Sequence, residues 1–239
     1  MDFTFAIGWR HTGVLRSAHP PLKRESGFGE SIELACELRG RVAVKYNGPK
    51  VKRYRRIGIA LTPKAQQVFN KKGPDAGNGR PRRESEYGLQ LVEKQRLRFQ
   101  YNVSEKQMRR YFAAALRQKG RTGENLVIAL ERRLDAFVLR SGFAPTIFAA
   151  RQLVGHGHFE VNGSRARSSS QLLRPGDRVR VREQSQKKEI FEMDWAAYSP
   201  PTYIERDTDE LTSTMSRIPE RSEIPVVCEE QYVVEFYSR

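Results

Sequence analysis

The chain has 239 residues, and 43 Lys and Arg against 28 Asp and Glu give it a formal net charge of +15. That length allows one or two domains, and 38% hydrophobic residues, many of them Leu, Val and Phe, argue against wholesale disorder. No run approaches the ~18 apolar residues of a membrane span, no cationic and apolar leader opens the chain, and the two distant cysteines, Cys36 and Cys228, exclude a disulfide framework and suit a reducing compartment.

In chain order, residues 1–41 are nearly neutral and show no hydrophobic period. Asp2, Glu25, Glu30, Glu33 and Glu37 argue against an organelle transit peptide, which is Arg-rich and poor in acids. Residues 42–123 then hold 21 basic and 5 acidic residues. Such a block repels itself and calls for an anionic partner, with nucleic acid the default because phosphate neutralisation releases condensed counterions. A membrane-surface helix would need an apolar face beside the cations, and none is expected in Lys45–Arg56. Residues 42–85 therefore read as a basic extended arm, with Lys52-Arg53-Tyr54-Arg55-Arg56 as a cationic cluster and Gly73-Pro74 and Gly77-Asn78-Gly79 as loop signals before Arg80, Arg82 and Arg83.

Helices follow. Glu86 to Tyr101 places Leu89, Val92 and Phe99 near one face, with Lys94, Arg96 and Arg98 interleaved. Ser104-Glu105-Lys106-Gln107 is a capping box, and Met108, Phe112, Ala115 and Leu116 form the stripe of the helix it opens, with Arg109, Arg110 and Arg117 off the stripe. One helix is predicted from Gly123 to Arg140 on Leu126, Leu130, Leu134 and Phe137, and a shorter one from Thr146 to Val154. The period then changes to two: Phe159 and Val161 flank Glu160, Asn162-Gly163 is a hairpin turn, and Val179 and Val181 alternate with Arg178, Arg180 and Arg182. Residues 185–239 are acidic, 12 acids against 6 bases. Lys187–Tyr198 reads as a helix, and Tyr232, Val234 and Phe236 alternate as an extended or edge-strand segment.

Little in the chain points to catalysis. His156-x-His158 has no cysteine or carboxylate partner at ligand spacing, so no metal is expected. Ser168-Ser169-Ser170 has no general base nearby, and no Gly-x-x-x-x-Gly-Lys-Ser/Thr loop exists. Asp135 in Arg133-Leu134-Asp135 resembles the nucleophile motif of some pseudouridine synthases. The Thr-x-Gly-Leu-Leu pattern that follows it there is absent, and Asp135 reads as a carboxylate that holds arginines or caps a loop.

Glu131-Arg132-Arg133-Leu134-Asp135, Gly142-Phe143-Ala144-Pro145-Thr146, Ala150-Arg151-Gln152-Leu153-Val154, His156, Val161-Asn162-Gly163 and Pro175-Gly176-Asp177 resemble the S-four RNA-binding module. Tyr46-x-Gly48-Pro49-Lys50, Ser85-Glu86-Tyr87-Gly88-Leu89-Gln90-Leu91, Thr122-Gly123-Glu124-Asn125-Leu126, Pro219-Glu220-Arg221 and the terminal Val234-Glu235-Phe236-Tyr237-Ser238-Arg239 extend the likeness to the bacterial small-subunit ribosomal protein S-four family, over about 42–239. The resemblance implies an α+β protein: a mainly helical rRNA-binding domain, 86–130, joined by 224–239; a small module of helices and antiparallel sheet, 131–184; the basic arm, 42–85; and the acidic C-terminal region, 185–239. Residues 1–41 have no counterpart and read as an over-called start or a disordered extension. The zinc-binding cysteine cluster that some family members carry is absent, and the loop that often reads Pro-Gly-Gln-His-Gly is altered at 73–79.

The function implied is that of a structural, non-enzymatic ribosomal constituent, cytoplasmic and without cofactor. It would be a primary binder of 16S rRNA that nucleates small-subunit assembly and influences decoding accuracy. Its implied neighbours are ribosomal proteins S-five and S-three and mRNA near the entry channel. Phosphate recognition suits arginine, whose planar fork makes two hydrogen bonds. The rRNA contacts expected are Lys50, Lys52, Arg53, Arg55 and Arg56 of the arm; Arg82 and Arg83; Lys94, Arg96, Arg98, Arg109 and Arg110 on the helices; and Arg133, Thr146, Arg151 and His156 in the module. Two alternatives remain at this point: an RNA-modifying enzyme using Asp135, and a free regulatory RNA-binding protein with the same small module.

Overall fold

The basic segment after residue 48 is helical. In the computed structural model, which describes residues 49–72, 85–188, 191, 199–207 and 209–239, α1 spans Lys50–Ile57 and α2 spans Pro63–Lys72. This corrects the extended arm for its described part. Lys and Arg are good helix formers, and Tyr54 and Ile57, three apart, form a narrow apolar stripe that the cations conceal. That stripe packs with Ala65 of α2 and with Phe99 and Phe148, far along the chain. Gly58 closes α1 in the left-handed region, φ 73°. Pro63 sits at the first helical position of α2, where its missing N–H costs nothing. The 1–41 extension, the loop with Arg82 and Arg83, and most of the predicted 187–198 helix lie outside the described residues.

The next two helices, α3 (Glu86–Gln100) and α4 (Glu105–Leu116), are capped by Ser85, which accepts Gly88 N–H at 3.2 Å, and by the Ser104–Gln107 capping box. The buried face of α3 is more polar than its sequence suggests, with Gln90, Glu93 and Lys94 beside Leu97. The single helix predicted over 123–140 is two: α5 (Thr122–Glu131) and α6 (Leu134–Arg140). Arg133 between them is extended, ψ 144°. The backbone there pairs with a distant segment, Leu173 N–H to Arg132 O and Leu134 N–H to Gln171 O, both at 2.8 Å.

Thr146 caps α7 (Ile147–His156), and β1 (Phe159–Val161) and β2 (Ser164–Ala166) meet at Asn162 and Gly163, both at positive φ as a two-residue hairpin requires. After β3 (Arg178–Val181) and the short α8 (Glu183–Gln186), the acidic region adds β4 (Ile204–Asp207) and β5 (Thr212–Met215). The sheet is antiparallel, in the order β2-β1-β3-β5-β4. Its inner face, with Phe159, Val161, Val179, Val181, Ile204 and Met215, packs on Leu134, Phe137, Val138 and Leu153.

The expected terminal strand is a helix, α9 (Glu230–Ser238). Val233, Val234 and Tyr237 join Leu97, Met108 and Phe112 in a second core. In so short a run, period two and period 3.6 both accommodate these apolar residues, and docking on α3 and α5 decides between them. Gly123 permits the approach, since a Cβ there would stand 2.7 Å from Glu230 Cβ.

Candidate nucleic-acid interface

The cations divide into those whose charge is used inside the protein and those left at the surface. Arg133 belongs to the first group and is corrected as an RNA contact: it is 0% exposed. Its Nε and Nη2 donate to Asp135 at 2.9 and 2.5 Å, and its Nη1 donates to Tyr111 Oη at 2.8 Å. Burial disfavours the Arg133 charge, but Asp135 and Tyr111 outweigh it and its pKa is raised. Asp135 is equally buried, and also accepts Ala136 N–H at 3.0 Å. It is therefore a holder of arginine, as expected from its sequence context.

Lys94 is also corrected: it is buried, 3.2 Å from Glu105, with its ammonium 4.4 Å above the Phe236 ring. Arg96 donates to Ile57 O at 2.8 Å and Glu93 at 2.5 Å, which ties α1 to α3. Arg98 reaches Glu105 at 3.1 Å. Arg151 bonds the carbonyl of Asn102, at positive φ in the α3–α4 turn, and lies 4.0 Å from Asp135. It is a link between α7 and the helical region, with its side chain 30% exposed. Thr146 spends its Oγ1 on Ala149 N–H.

The second group faces outward. Lys52 and Arg56 are exposed on α1, which carries no acid in its first turn. Lys50 is exposed, with Nζ 4.4 Å above Phe148 of α7; Arg53 lies over Phe99; Arg55 is half-exposed. These contacts hold the cationic helix against both α3 and α7. Arg109 is 72% exposed at 3.7 Å from Glu105, and Arg110 and His156 are exposed.

The hairpin cations Arg165 and Arg167 are exposed as well, and Arg182 is half-buried against Glu160 at 3.1 Å; none of the three is among the expected contacts. Alternation of Arg with small or apolar residues at 164–167 and 178–182 was the available signal. Across the outer face of the sheet, paired residues read Arg165, Glu160, Arg180, Thr212, Asp207. The β2 edge of that row thus carries a cation and the β4 edge an anion, with Glu160 and Arg180 alternating between them. Among the described residues, no helix is long and apolar enough to cross a membrane and no group of His, Cys, Asp and Glu is placed to hold a metal ion.

Comparison with known proteins finds two family matches in succession along the chain. Residues 45–131 match the family described as "Ribosomal protein S4/S9 N-terminal domain", and residues 132–179 match "S4 domain". The boundary falls at the break between α5 and α6. A protein of Streptomyces avermitilis named small ribosomal subunit protein uS4 is 50% identical over 198 residues, covering 80% of this chain and 97% of its own length. Proteins of the same name from Micrococcus luteus and Geobacillus stearothermophilus are 48% and 43% identical over 198 residues, covering 79% and 82% of this chain and 95% and 99% of their own.

Proposed function

The chain belongs to the uS4 family of small ribosomal subunit proteins, and from that premise we propose that it is a primary binder of 16S rRNA that nucleates assembly of the subunit body and influences translational accuracy. Proteins of this family are structural, not enzymatic, components of the ribosome. The proposed neighbours are ribosomal proteins S-five and S-three on the acidic C-terminal side, and mRNA near its entry channel.

One observation supports the rRNA reading most directly. The α1 helix, Lys50–Ile57, carries five cations on eight residues, and its apolar stripe anchors it between α3 and α7. A rigid cationic ridge suits an RNA junction, because A-form RNA hides its major groove and is read through shape and phosphates. The contacts proposed are Lys50, Lys52, Arg53, Arg55 and Arg56 on that ridge, Arg109 and Arg110 on α4, the exposed part of Arg151, and His156.

Binding of the full chain to a transcript of the 16S 5′-domain junction, measured at several salt concentrations, tests this. The logarithm of affinity should fall steeply with the logarithm of salt, by roughly 0.7–0.9 per phosphate neutralised. Co-sedimentation with small subunits in high-salt gradients should accompany it. A slope near zero refutes the electrostatic mechanism, and absence from the subunit refutes the assignment.

A further inference from the structure

We propose that the segment from Arg221 to the end of α9 is a strap that sets the α1 ridge in its binding position, with Glu93 and Arg96 of α3 as the positioning residues between them. The proposal rests on the RNA-binding reading above. It adds a second segment, remote from the ridge along the chain, on which that binding depends.

Arg221 organises the strap. Its guanidinium pairs with Glu230 and donates to Ile224 O and Val226 O at 3.3 Å and to Cys228 O at 3.5 Å, so that one side chain holds the bend at 224–228. Ile224, Val226 and Val233 enter the core with Leu97, Met108 and Leu126. The rest of the attachment is polar and falls on α3. The Gln100 amide donates to Val227 O at 2.9 Å and accepts Val227 N–H at 3.3 Å, and Gln90 donates to Glu235 at 2.9 Å. Glu229 N–H donates to Glu93 Oε2 at 3.1 Å, and Cys228 Sγ lies 3.8 Å from Glu93 O.

Glu93 is where strap and ridge meet. It is 7% exposed, and its other oxygen, Oε1, accepts from Arg96 Nη1 at 2.5 Å. The same guanidinium donates from Nε to Ile57 O at 2.8 Å. Ile57 is the last residue of α1. A strap amide, one carboxylate, one guanidinium and the final carbonyl of the ridge helix thus form an unbroken series of charge-assisted bonds, the stronger kind. The apolar stripe of α1 gives adhesion without direction, whereas a carbonyl held by a rigid fork fixes the end of the helix in both distance and angle.

The docked strap therefore orients Glu93, and Glu93 orients Arg96 on α1. By linkage, a polyanion that requires the ridge in this position favours the docked strap to the same degree. Charge alone gives the opposite expectation for Glu93. Removing a carboxylate near a phosphate-binding helix should strengthen binding; removing the link to the strap should weaken it.

The test uses the full chain carrying Cys36→Ser, in which Cys228 is the one thiol, and the 5′-domain junction transcript. Burial and the nearby carboxylates of Glu93 and Glu230 push the Cys228 thiol up to about 12, so its alkylation by iodoacetamide follows opening of the strap. In the parent chain, saturating transcript should slow that alkylation. Glu93→Gln should bind the transcript about fivefold or more weakly, the lower end of ordinary coupling between two sites, and should lose most of the protection at saturation. Gln100→Ala, which releases Val227 and changes no charge, should show the same two effects and decides the matter if Glu93→Gln does not fold. A folded Glu93→Gln that binds as tightly as the parent, or more tightly, overturns the inference, and so does alkylation that ignores the transcript. Equal protection of Cys228 in parent and variants means that RNA covers the thiol directly, which overturns it as well. In each of these cases a steep salt slope in the parent keeps the RNA-binding reading; a flat slope overturns both.

Discussion

Arg133 and Arg56 mark the two ends of what arginine does in this protein. Arg133 is 0% exposed at the seam between the helical region and the sheet module, with donors committed to Asp135 and Tyr111. Arg56 is exposed on the outer side of α1, opposite the stripe of Tyr54 and Ile57. Net charge does not distinguish them, and position in the fold does. Seam cations fix how the two regions meet; surface cations remain for a polyanion. A second buried carboxylate reinforces the seam. Glu131 accepts Tyr101 Oη–H, Tyr203 Oη–H at 2.7 Å and Arg140 Nε–H at 2.6 Å, and so joins α3, α5, α6 and the segment before β4.

The largest effect should come from breaking the Arg133–Asp135 pair on one side. Asp135→Asn leaves a fully buried guanidinium without its counter-charge, which costs about 3–5 kcal/mol. Chemical denaturation should show the loss. The double variant Arg133→Met, Asp135→Leu removes both charges and should be more stable than Asp135→Asn alone. If Asp135→Asn unfolds like wild type, the seam is not where stability resides and the contrast with Arg56 fails.

The next effect concerns Glu131. Tyr203→Phe removes one of three donors from a buried carboxylate and should cost about 1–3 kcal/mol. Tyr101→Phe also carries a pH signature. Burial and the Glu131 charge hold the Tyr101 pKa well above its ordinary 10.0. The folded protein keeps this proton where the unfolded chain releases it, so the contribution is complete below pH 10 and is lost as pH rises above it. Alkaline denaturation should be shallower in Tyr101→Phe. It should not vanish, because burial also pushes Tyr54 and Cys228 up to about 12. An unchanged alkaline profile in the variant would remove Tyr101 from the seam's energetics.

What the sequence disclosed and what it concealed follow from the range of the interactions. The Ser104–Gln107 box, the Asn162-Gly163 turn and the alternation of Val179 and Val181 depend on near neighbours and could be read directly. The α1 helix could not, because its stripe of Tyr54 and Ile57 is narrow and its partners Phe99 and Phe148 lie far along the chain. The break at Arg133 has the same origin: periodicity continues through it, and the interruption comes from pairing with Gln171 and Leu173. At the candidate interface, residue type pointed to Arg56, Arg110 and Arg133 alike. Only burial separates Arg133, since a positive charge in a sequence does not show whether a carboxylate waits for it in the fold.

A smaller loss of stability is expected at the α4 cap. Ser104 Oγ accepts Gln107 N–H at 3.3 Å on an exposed turn. Ser104→Ala should cost about 1 kcal/mol, read as a lower denaturation midpoint. The salt slope for RNA should stay unchanged, because no charge is lost. A changed slope would mean that the orientation of α4, with Arg109 and Arg110, governs phosphate contact, and the division between structural and surface groups would have to be redrawn there.

Arg56→Ala should have the smallest effect on folding and the clearest effect on binding. The side chain is exposed and lies off the buried stripe, and Ala is the stronger helix former, so stability should stay within about 0.5 kcal/mol of wild type. The guanidinium is one of five cations on a helix pinned against Phe99 and Phe148, so the ridge should keep its shape without it. Affinity for the 5′-domain junction should then fall most at low salt, and the salt slope should drop by about one unit. That outcome, beside a destabilised Asp135→Asn, separates the two kinds of cation by measurement. If Arg56→Ala instead lowers the denaturation midpoint and leaves the slope untouched, Arg56 belongs with Arg133 as a structural charge, and the cationic ridge of α1 loses its claim on RNA.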